Sequence, residues 1–297
     1  MKRRHFVQQL GALGIVSLLP QVAWSNVWKT NFKLGLQLFS VNDDMVRDPI
    51  GTLKEVKSMG YRDFEIYGFD PDKLTYYGIP ASEFKSILDD MGLTVTSGHY
   101  GFSPYLRDSQ DSLDRYVDQC IAGAKALNSP YITWPWMDPA DRNSEGFKLM
   151  SEKLNIIGEQ VSAADLGFAY HNHGYEFDDL GGTNGYEIVL ERTDPNLVKL
   201  QMDLYWVMHA AVTTPKELVE RQPGRYVMRH IKDMHKESRD YTELGNGSID
   251  YHSILPDPKK SGLEFYYIEQ GGNFARSPLQ SAAASAAYFK KNLSQYL

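Results

Sequence analysis

Short apolar runs alternate with amphipathic stretches from Lys33 to the end of the chain. Eight of these runs have the length and the residue types of buried strands, and apolar positions recur at helical spacing between them. Successive runs begin about 30 residues apart, which is the length of a strand–helix unit. The predicted strands are residues 33–39, 62–67, 93–98, 130–134, 166–171, 197–203, 225–231 and 264–270.

Glycines stand where the predicted helices give way to strands. The stretch 48–60 has an approximate helical face and ends in Gly60, where a C-terminal stop is expected. Gly92 and Gly167 occupy the same kind of position before later strands. Glycines at these positions predict that each of these helices ends just before the next strand.

Eight strands alternating with eight helices predict an α/β protein, a closed (β/α)8 TIM barrel. No linker, low-complexity tract or charge block divides it, so we expect a single domain over residues 26–297. An open doubly wound sheet would normally carry a glycine-rich first turn, and LFSVNDD after the first strand has none.

The first 25 residues have the features of an export signal. Basic residues at 2–4 precede an apolar run at 10–19, and a small-x-small motif follows at 23–25. The adjacent Arg3–Arg4 pair is typical of the twin-arginine type. We therefore predict a signal peptide over 1–25, transport by the twin-arginine machinery, and a periplasmic or secreted protein. The apolar run is too short for a stable membrane anchor.

Composition narrows the function further. The chain is 42% hydrophobic and 23% charged, with a net charge of −7, which argues against nucleic acid as a partner. Cys120 is the single cysteine, so neither a disulfide framework nor a cysteine zinc site is expected. Aromatic residues make up 12% of the chain and serve either the core or a sugar-binding cleft.

Polar and aromatic residues follow the predicted strands, at the end where barrels of this kind place their active site. Carboxylates and imidazoles that arrive from separate strands form a mixed oxygen and nitrogen set, which suits one divalent ion such as Mn, Mg, Co or Zn. Each alone could be a core histidine or a capping carboxylate. The candidates are Glu65, His99, Trp134, Trp136, His171, His173, Glu176, Asp203, His230, Lys232 and Glu269.

Alternation within the seventh strand sets the direction of its polar residues. His230 and Lys232 are two residues apart, so both are predicted to face the barrel mouth. Asp233 then points outward or supports a neighbour. His209 and His252, on predicted helices or loops, are expected to be solvated, as is His235.

The order and spacing of six segments resemble the xylose isomerase-like barrel superfamily. This is the sugar phosphate isomerase/epimerase group, which also contains AP endonuclease family 2. The resemblance extends from about residue 33 to the C-terminus. The segments are LGLQLFSV, YHNHGYEF, LQMDLYWV, RHIKDM, ELGNGSIDY and FYYIEQGG.

The resemblance implies one divalent metal held by side chains from strands five to eight. Three positions carry over directly, namely Asp203, His230 and Glu269. Many members have Glu where this chain has His171, so the fourth ligand is either His171 or Glu176 in the following loop. We take Glu176 as the ligand.

The resemblance also implies the chemistry. The metal would polarise a carbonyl, and a flanking base would remove the neighbouring proton. We assign catalysis to His171 or His173 as the base, with Lys232 and Glu269. Substrate contacts are assigned to four more residues, of which the tryptophans would stack on a sugar face: Glu65, His99, Trp134 and Trp136.

The expected function is that of an exported, metal-dependent isomerase or epimerase. Its substrate would be a small unphosphorylated sugar, keto-sugar or cyclitol, since phosphosugars are scarce outside the cytoplasm. A dehydratase, hydratase or lyase that acts on a keto-sugar or keto-glycoside by the same enolate chemistry is the alternative. A metal endonuclease and a non-catalytic sugar-binding protein are weaker alternatives. The sequence gives no indication of the oligomeric state.

Overall fold

The computed structural model describes residues 32–296. The predicted signal peptide lies outside these residues. Within them, no helix is long and apolar enough to cross a membrane.

Eight parallel strands close into a barrel in the described part of the chain. Each strand pairs with its neighbours in the sequence, and the first also pairs with the last. This confirms the predicted single-domain (β/α)8 barrel. The strands are β1 (Gly35–Gln37), β2 (Asp63–Ile66), β3 (Thr94–His99), β4 (Tyr131–Trp134), β5 (Gly167–His171), β6 (Lys199–Asp203), β7 (Met228–Ile231) and β8 (Phe265–Ile268).

Helices connect successive strands and follow the last one. Three of the connections contain two α-helices each. Two small antiparallel sheets lie in the loops after β2 and β7. The helices are α1 (Asn42–Arg47), α2 (Pro49–Ser58), α3 (Ala81–Asp90), α4 (Gln110–Leu127), α5 (Ser144–Ala163), α6 (Gly185–Arg192), α7 (Leu204–Ala210), α8 (Pro215–Arg221), α9 (Tyr251–Ile254), α10 (Pro258–Ser261) and α11 (Pro278–Asn292).

Helix α2 shows how the local sequence sets these boundaries. Asp48 caps its start by accepting a hydrogen bond from the Gly51 N–H at 2.9 Å. Leu53 and Val56 are buried on its inner face. The helix ends before Gly60, which has a φ of +103°, a conformation that favours glycine. The predicted stop is therefore confirmed.

The boundary before β5 differs from the prediction. Asp165 takes the left-handed conformation there, with a φ of +62°. Gly167 is required for another reason, because a Cβ on it would lie 2.3 Å from the Tyr131 ring.

Strand β1 closes the barrel between β2 and β8. Three residues of β1 pair in register with β2, whereas its registered pairing with β8 is Leu36 with Ile268. A Cβ at Gly35 would lie 2.0 Å from the carbonyl oxygen of Tyr266. Glycine at this position therefore allows the two backbones to approach closely.

The lower interior of the barrel is filled by side chains from strands that are not neighbours. The Tyr267 hydroxyl of β8 lies 2.7 Å from the Thr96 hydroxyl of β3. Tyr267 and Met228 belong to a small buried apolar cluster with Tyr131 and Ala169. This packing closes the barrel below the polar residues at its other end.

Candidate active site

A cavity of about 400 Å³ opens at the C-terminal ends of the strands. Its lining includes six of the predicted site residues and several aromatic rings. These six are His99, Trp136, His171, His173, Lys232 and Glu269.

Asp203, His230 and Glu269 form a compact group beside this cavity. They end β6, lie within β7 and follow β8, and their candidate ligand atoms all lie within 4.8 Å of one another. Asp203 and His230 are fully buried. The set fits a divalent ion because it combines carboxylate oxygens with an imidazole.

The two carboxylate oxygens of Asp203 have different surroundings. Oδ1 accepts a hydrogen bond from the Trp206 N–H at 3.1 Å, which caps α7. Oδ2 lies 2.6 Å from Lys232 Nζ in an ion pair, and 3.8 Å from His171 Nε2. No hydrogen bond with favourable geometry reaches Oδ2 within the described residues. The contact that this oxygen makes is therefore the ion pair with Lys232.

Lys232 lies between two carboxylates of the group. Its ammonium contacts both Asp203 and Glu269. Burial alone would lower the pKa of Lys232, but Asp203 and Glu269 raise it above its usual value. Burial likewise opposes ionisation of Glu269, but the charges of Lys232 and His230 hold its pKa well below the usual range. The lysine is thus a stable ammonium at the cavity wall.

Asp233, the next residue, supports the loop that follows. Its carboxylate accepts backbone hydrogen bonds from Gly245 at 2.9 Å, and from Gly247 and Ile249 at 3.2 Å. The sequence predicts that Asp233 either points outward or supports a neighbour. These hydrogen bonds favour the second alternative.

His230 is held between two carboxylates. Its Nδ1 lies 3.1 Å from Glu269, and its Nε2 contacts Glu65. Burial alone would lower the pKa of His230, but Glu65 and Glu269 raise it to about 9. These contacts fix the ring orientation, so that Nδ1 faces Glu269.

Glu65 lies below the cavity rather than at its wall. It is fully buried and accepts hydrogen bonds from Gln37 at 2.8 Å and from Ser97 and Gln201 at 2.6 Å. His99 Nε2 is also 2.9 Å from its carboxylate. Burial opposes ionisation of Glu65, but the charges of His99 and His230 hold its pKa well below the usual range.

These bonds correct the predicted substrate contact of Glu65. The carboxylate is occupied by protein donors and is absent from the residues that line the cavity. Its contacts make it a positioning residue for His230.

His171 and His173 present neutral imidazoles to the cavity. Burial lowers the pKa of His171 well below its usual value, and burial with the charge of Lys232 lowers the pKa of His173 to about 3. The Nδ1 atom of each ring has no hydrogen-bond partner among the described residues. Each ring therefore has a nitrogen that no described residue uses in a hydrogen bond.

A second group of potential metal ligands consists of imidazoles alone. His99, His171 and His230 have ligand atoms within 4.8 Å of one another. The ring centroids of His171 and His230 are 4.5 Å apart. His171 therefore adjoins both groups.

Glu176 is not brought to either group. It is fully buried, and its carboxylate accepts hydrogen bonds from the Tyr170 hydroxyl at 2.6 Å and from the His173 N–H at 2.9 Å. Burial raises the pKa of Glu176 to about 7. The structure thus places His171, rather than the predicted Glu176, beside Asp203 and His230. The difference arises because Tyr170 and the backbone hold Glu176 in its own loop.

The two tryptophans after β4 have separate environments. Trp136 is 40% exposed and lines the cavity. Trp134 is fully buried, its Nε1 donates to the Trp136 carbonyl at 2.7 Å, and its ring packs against Phe102. The predicted sugar contact of Trp134 is therefore corrected, since the ring belongs to the core.

Several residues of the site were not predicted. Phe39, Tyr67, Trp206 and Tyr241 add aromatic surface to the cavity. Gln201 binds both Glu65 and His99 beneath it. The signal for Gln201 was present in the sequence, because it precedes Asp203 by two residues in one strand and so faces the same side.

Residues 53–291 match the family model described as the xylose isomerase-like TIM barrel. The chain belongs to this family.

Two proteins that are similar to this chain have names that state an enzyme activity. The chain is 26% identical over 169 residues to an inosose dehydratase of Clostridium perfringens, a match that covers 50% of this chain and 56% of that protein. The chain thus spans about half the length of the curated relatives it matches. It is also similar to the crystal structure of a sugar phosphate isomerase/epimerase from Parabacteroides distasonis, with a TM-score of 0.76 and 26% identity, covering 90% and 97% of the two chains.

A third similarity is to a structure of the IolI protein with a bound zinc atom. The TM-score is 0.65 at 15% identity, over 90% of this chain and 99% of that one. At this identity the similarity shows the fold alone.

Proposed function

We propose that the protein is a divalent-metal-dependent enzyme that moves a proton next to the carbonyl of an unphosphorylated sugar, keto-sugar or cyclitol. The outcome would be isomerisation or epimerisation. The observation that carries the proposal is that a group of three potential ligand side chains lies directly beside a cavity lined by two neutral imidazoles and one ammonium. The sugar isomerase/epimerase and dehydratase relatives support it.

Asp203, His230 and Glu269 would hold the metal, with His171 as the fourth ligand. The 3.8 Å between His171 Nε2 and Asp203 Oδ2 supports His171 over Glu176. A divalent ion bound there would act as a Lewis acid and make the C–H beside a carbonyl more acidic.

His173 is then the residue best suited to accept the substrate proton. Its ring is neutral and lines the cavity. Returning this proton to the neighbouring carbon gives isomerisation, and returning a proton to the opposite face gives epimerisation. His171 cannot share this task while it serves as a ligand.

Lys232 favours a second candidate outcome, which is dehydration. An ammonium at the cavity wall can donate a proton to a departing hydroxyl, which then leaves as water. The inosose dehydratase relative supports this alternative. The same set of residues would therefore serve either reaction, and the substrate would decide between them.

Charge at the cavity favours an unphosphorylated substrate. Among the described lining residues, Lys232 is the cationic side chain, and its ammonium already contacts two carboxylates. A phosphate group would normally require further Arg or Lys donors.

Proton exchange in heavy water tests the proposal. Free sugars, keto-sugars and inososes are incubated with the purified protein and Mn²⁺, and deuterium incorporation is read by NMR. We expect exchange on at least one compound, its loss with a chelator, and a large reduction in His173→Asn. Absence of exchange and turnover across the panel would contradict an enzyme and support a sugar-binding protein.

Export to the periplasm or to the outside of the cell is part of the proposal and rests on the sequence at 1–25. Replacing Arg3 and Arg4 by Lys should trap the precursor in the cytoplasm. Normal export of that variant would contradict the twin-arginine route.

A further inference from the structure

A second cavity adjoins the first at the barrel mouth. Its volume is about 710 Å³, and four of its lining residues also line the inner cavity of about 400 Å³. Each volume by itself falls within the range of roughly 300–1,000 Å³ that is typical of small-ligand pockets. The shared residues are Trp136, His173, Trp206 and Tyr241.

His173 stands at the junction of the two cavities. Its ring stacks on Tyr175 at 5.5 Å with an interplanar angle of 12°, and its centroid is 5.9 Å from that of Trp206. Tyr175 lines the outer cavity, whereas Trp206 lines both. A substituent on a ring bound in the inner cavity would therefore enter the outer one as it passes the proposed base.

One wall of the outer cavity is held rigid by an arginine. The Arg142 guanidinium lies 3.7 Å from the centre of the Tyr175 ring and 5.0 Å from that of Trp136. Its Nε and Nη2 donate to the Met137 carbonyl at 3.0 and 2.9 Å. The Met137 N–H in turn donates to the Tyr175 hydroxyl at 3.0 Å. These contacts fix an aromatic and cationic surface before any ligand binds.

Two polar side chains of the outer cavity have free hydrogen-bonding capacity. The exposed Asp178 carboxylate and the half-buried His209 ring both line it. Neither side chain makes a hydrogen bond or an ion pair with another described residue; the His209 ring packs against Tyr205 and Trp206. Hydroxyl groups of a ligand could donate to the carboxylate and bond to the imidazole.

We propose that the outer cavity is a second sugar subsite, so that the substrate is a glycoside with one ring at the ligand group and a second ring beside Arg142, Asp178 and His209. This inference rests on the proposed function for the identity of the inner ring. A second sugar suits the surface because its apolar faces can stack on aromatic rings while its hydroxyls meet charged and polar groups. The outer cavity combines both features.

The test compares matched monosaccharides and disaccharides by binding rather than by turnover. The pairs are glucose with cellobiose, galactose with lactose, and xylose with xylobiose, measured by titration calorimetry on the purified protein. We expect at least one disaccharide to bind about tenfold more tightly than its monosaccharide. Equal affinities in all three pairs would overturn the subsite.

A double variant locates the effect. Asp178→Ala with His209→Ala should reduce the preference for the disaccharide to about one. The matched control is Asp250→Ala with His252→Ala, which has the same two changes at exposed residues that line neither cavity. This control should retain the preference. A preference that survives in the first variant, or disappears in the control, would overturn the assignment.

A third ligand distinguishes a sugar from an aromatic group in the outer cavity. Phenyl β-D-glucoside should bind more weakly than cellobiose, and tighter binding would overturn the second sugar. The proposed function is tested separately by deuterium exchange. If exchange fails while the disaccharide preference persists, the function is wrong and the subsite stands. If exchange occurs without the preference, the reverse holds.

Discussion

Glu65 and Asp203 are both fully buried carboxylates near the ends of barrel strands, yet their bonding differs. Glu65 accepts hydrogen bonds from Gln37, Ser97 and Gln201 and also contacts two imidazoles. Asp203 uses one oxygen to cap a helix and leaves the other to an ion pair. A buried carboxylate that is fully bonded stabilises the barrel, whereas one with spare capacity is suited to a ligand.

The largest effect on the reaction rate is expected at Asp203, the carboxylate with spare bonding capacity. Asp203→Asn keeps a helix cap but removes the charge, so the protein should fold and lose its divalent ion. Lewis-acid stabilisation is worth several kcal/mol, and its loss corresponds to roughly a 10³-fold lower rate. Metal analysis and deuterium exchange measure both effects.

Glu176→Gln is the control for this experiment, because the Tyr170 hydroxyl and a backbone N–H hold Glu176 away from the ligands. It should keep its metal. Metal loss in Glu176→Gln with full occupancy in His171→Asn would instead make Glu176 the ligand.

Replacing Glu65, the fully bonded carboxylate, should primarily lower the free energy of unfolding. In Glu65→Gln, an amide group faces the amide donors of Gln37 and Gln201, and His230 loses one of its two charged partners. Breaking a buried pair of this kind costs about 3–5 kcal/mol. Urea denaturation of the wild type and the variant measures the free energy of unfolding. A cost below that of one ordinary hydrogen bond would contradict the role assigned to Glu65.

The raised pKa of Glu176 predicts a pH-dependent stability. Its pKa is about 7 in the folded protein against a usual value of 4.5, so the folded state binds the proton more tightly. Its contribution is therefore present below about pH 4.5 and is lost as the pH rises to about 7. Since a tenfold difference in proton affinity is worth about 1.4 kcal/mol, the whole loss is roughly 3 kcal/mol.

Urea denaturation at pH 5 and pH 8 measures this loss. The difference in free energy of unfolding between the wild type and Glu176→Gln should change by most of this amount between the two pH values. An unchanged difference would show that Glu176 is ionised throughout.

The smallest effect on stability is expected at Trp134, whose indole N–H is hydrogen-bonded in the core. Trp134→Phe should cost about 1 kcal/mol of stability for the lost hydrogen bond. Sugar affinity should not change, because the ring does not line the cavity. Calorimetric titration measures the sugar affinity. Weaker sugar binding by Trp134→Phe would indicate that Trp134 belongs to the binding site.

The barrel and most of the site could be predicted from local rules. Periodicity located the eight strands, and the position of Asp203 and His230 at strand ends placed them at the mouth. Strand β4 ends at Trp134, so the exposed position of Trp136 depends on the loop that follows, which no periodic pattern describes. Proximity in sequence could not reveal that Glu176 bonds to the Tyr170 hydroxyl on the preceding strand.

Long-range packing explains the remaining differences. Gly167 looked like a helix stop, but it is small because the Tyr131 ring from the adjacent strand occupies the space of a Cβ. The polar network under the cavity joins β1, β2, β3 and β6, and no local pattern marks which of its members meet.

The contact between β1 and β8 also bears on the order in which the molecule forms. Leu36 and Ile268 pair across almost the whole described chain, whereas the other strand pairings of the barrel join consecutive strands. Contacts distant in sequence carry the greatest loop-closure entropy and form late in folding. Until they form, β1 and β8 remain open sheet edges that can pair with other chains. The close approach at Gly35 therefore completes the core and removes the last exposed edges together.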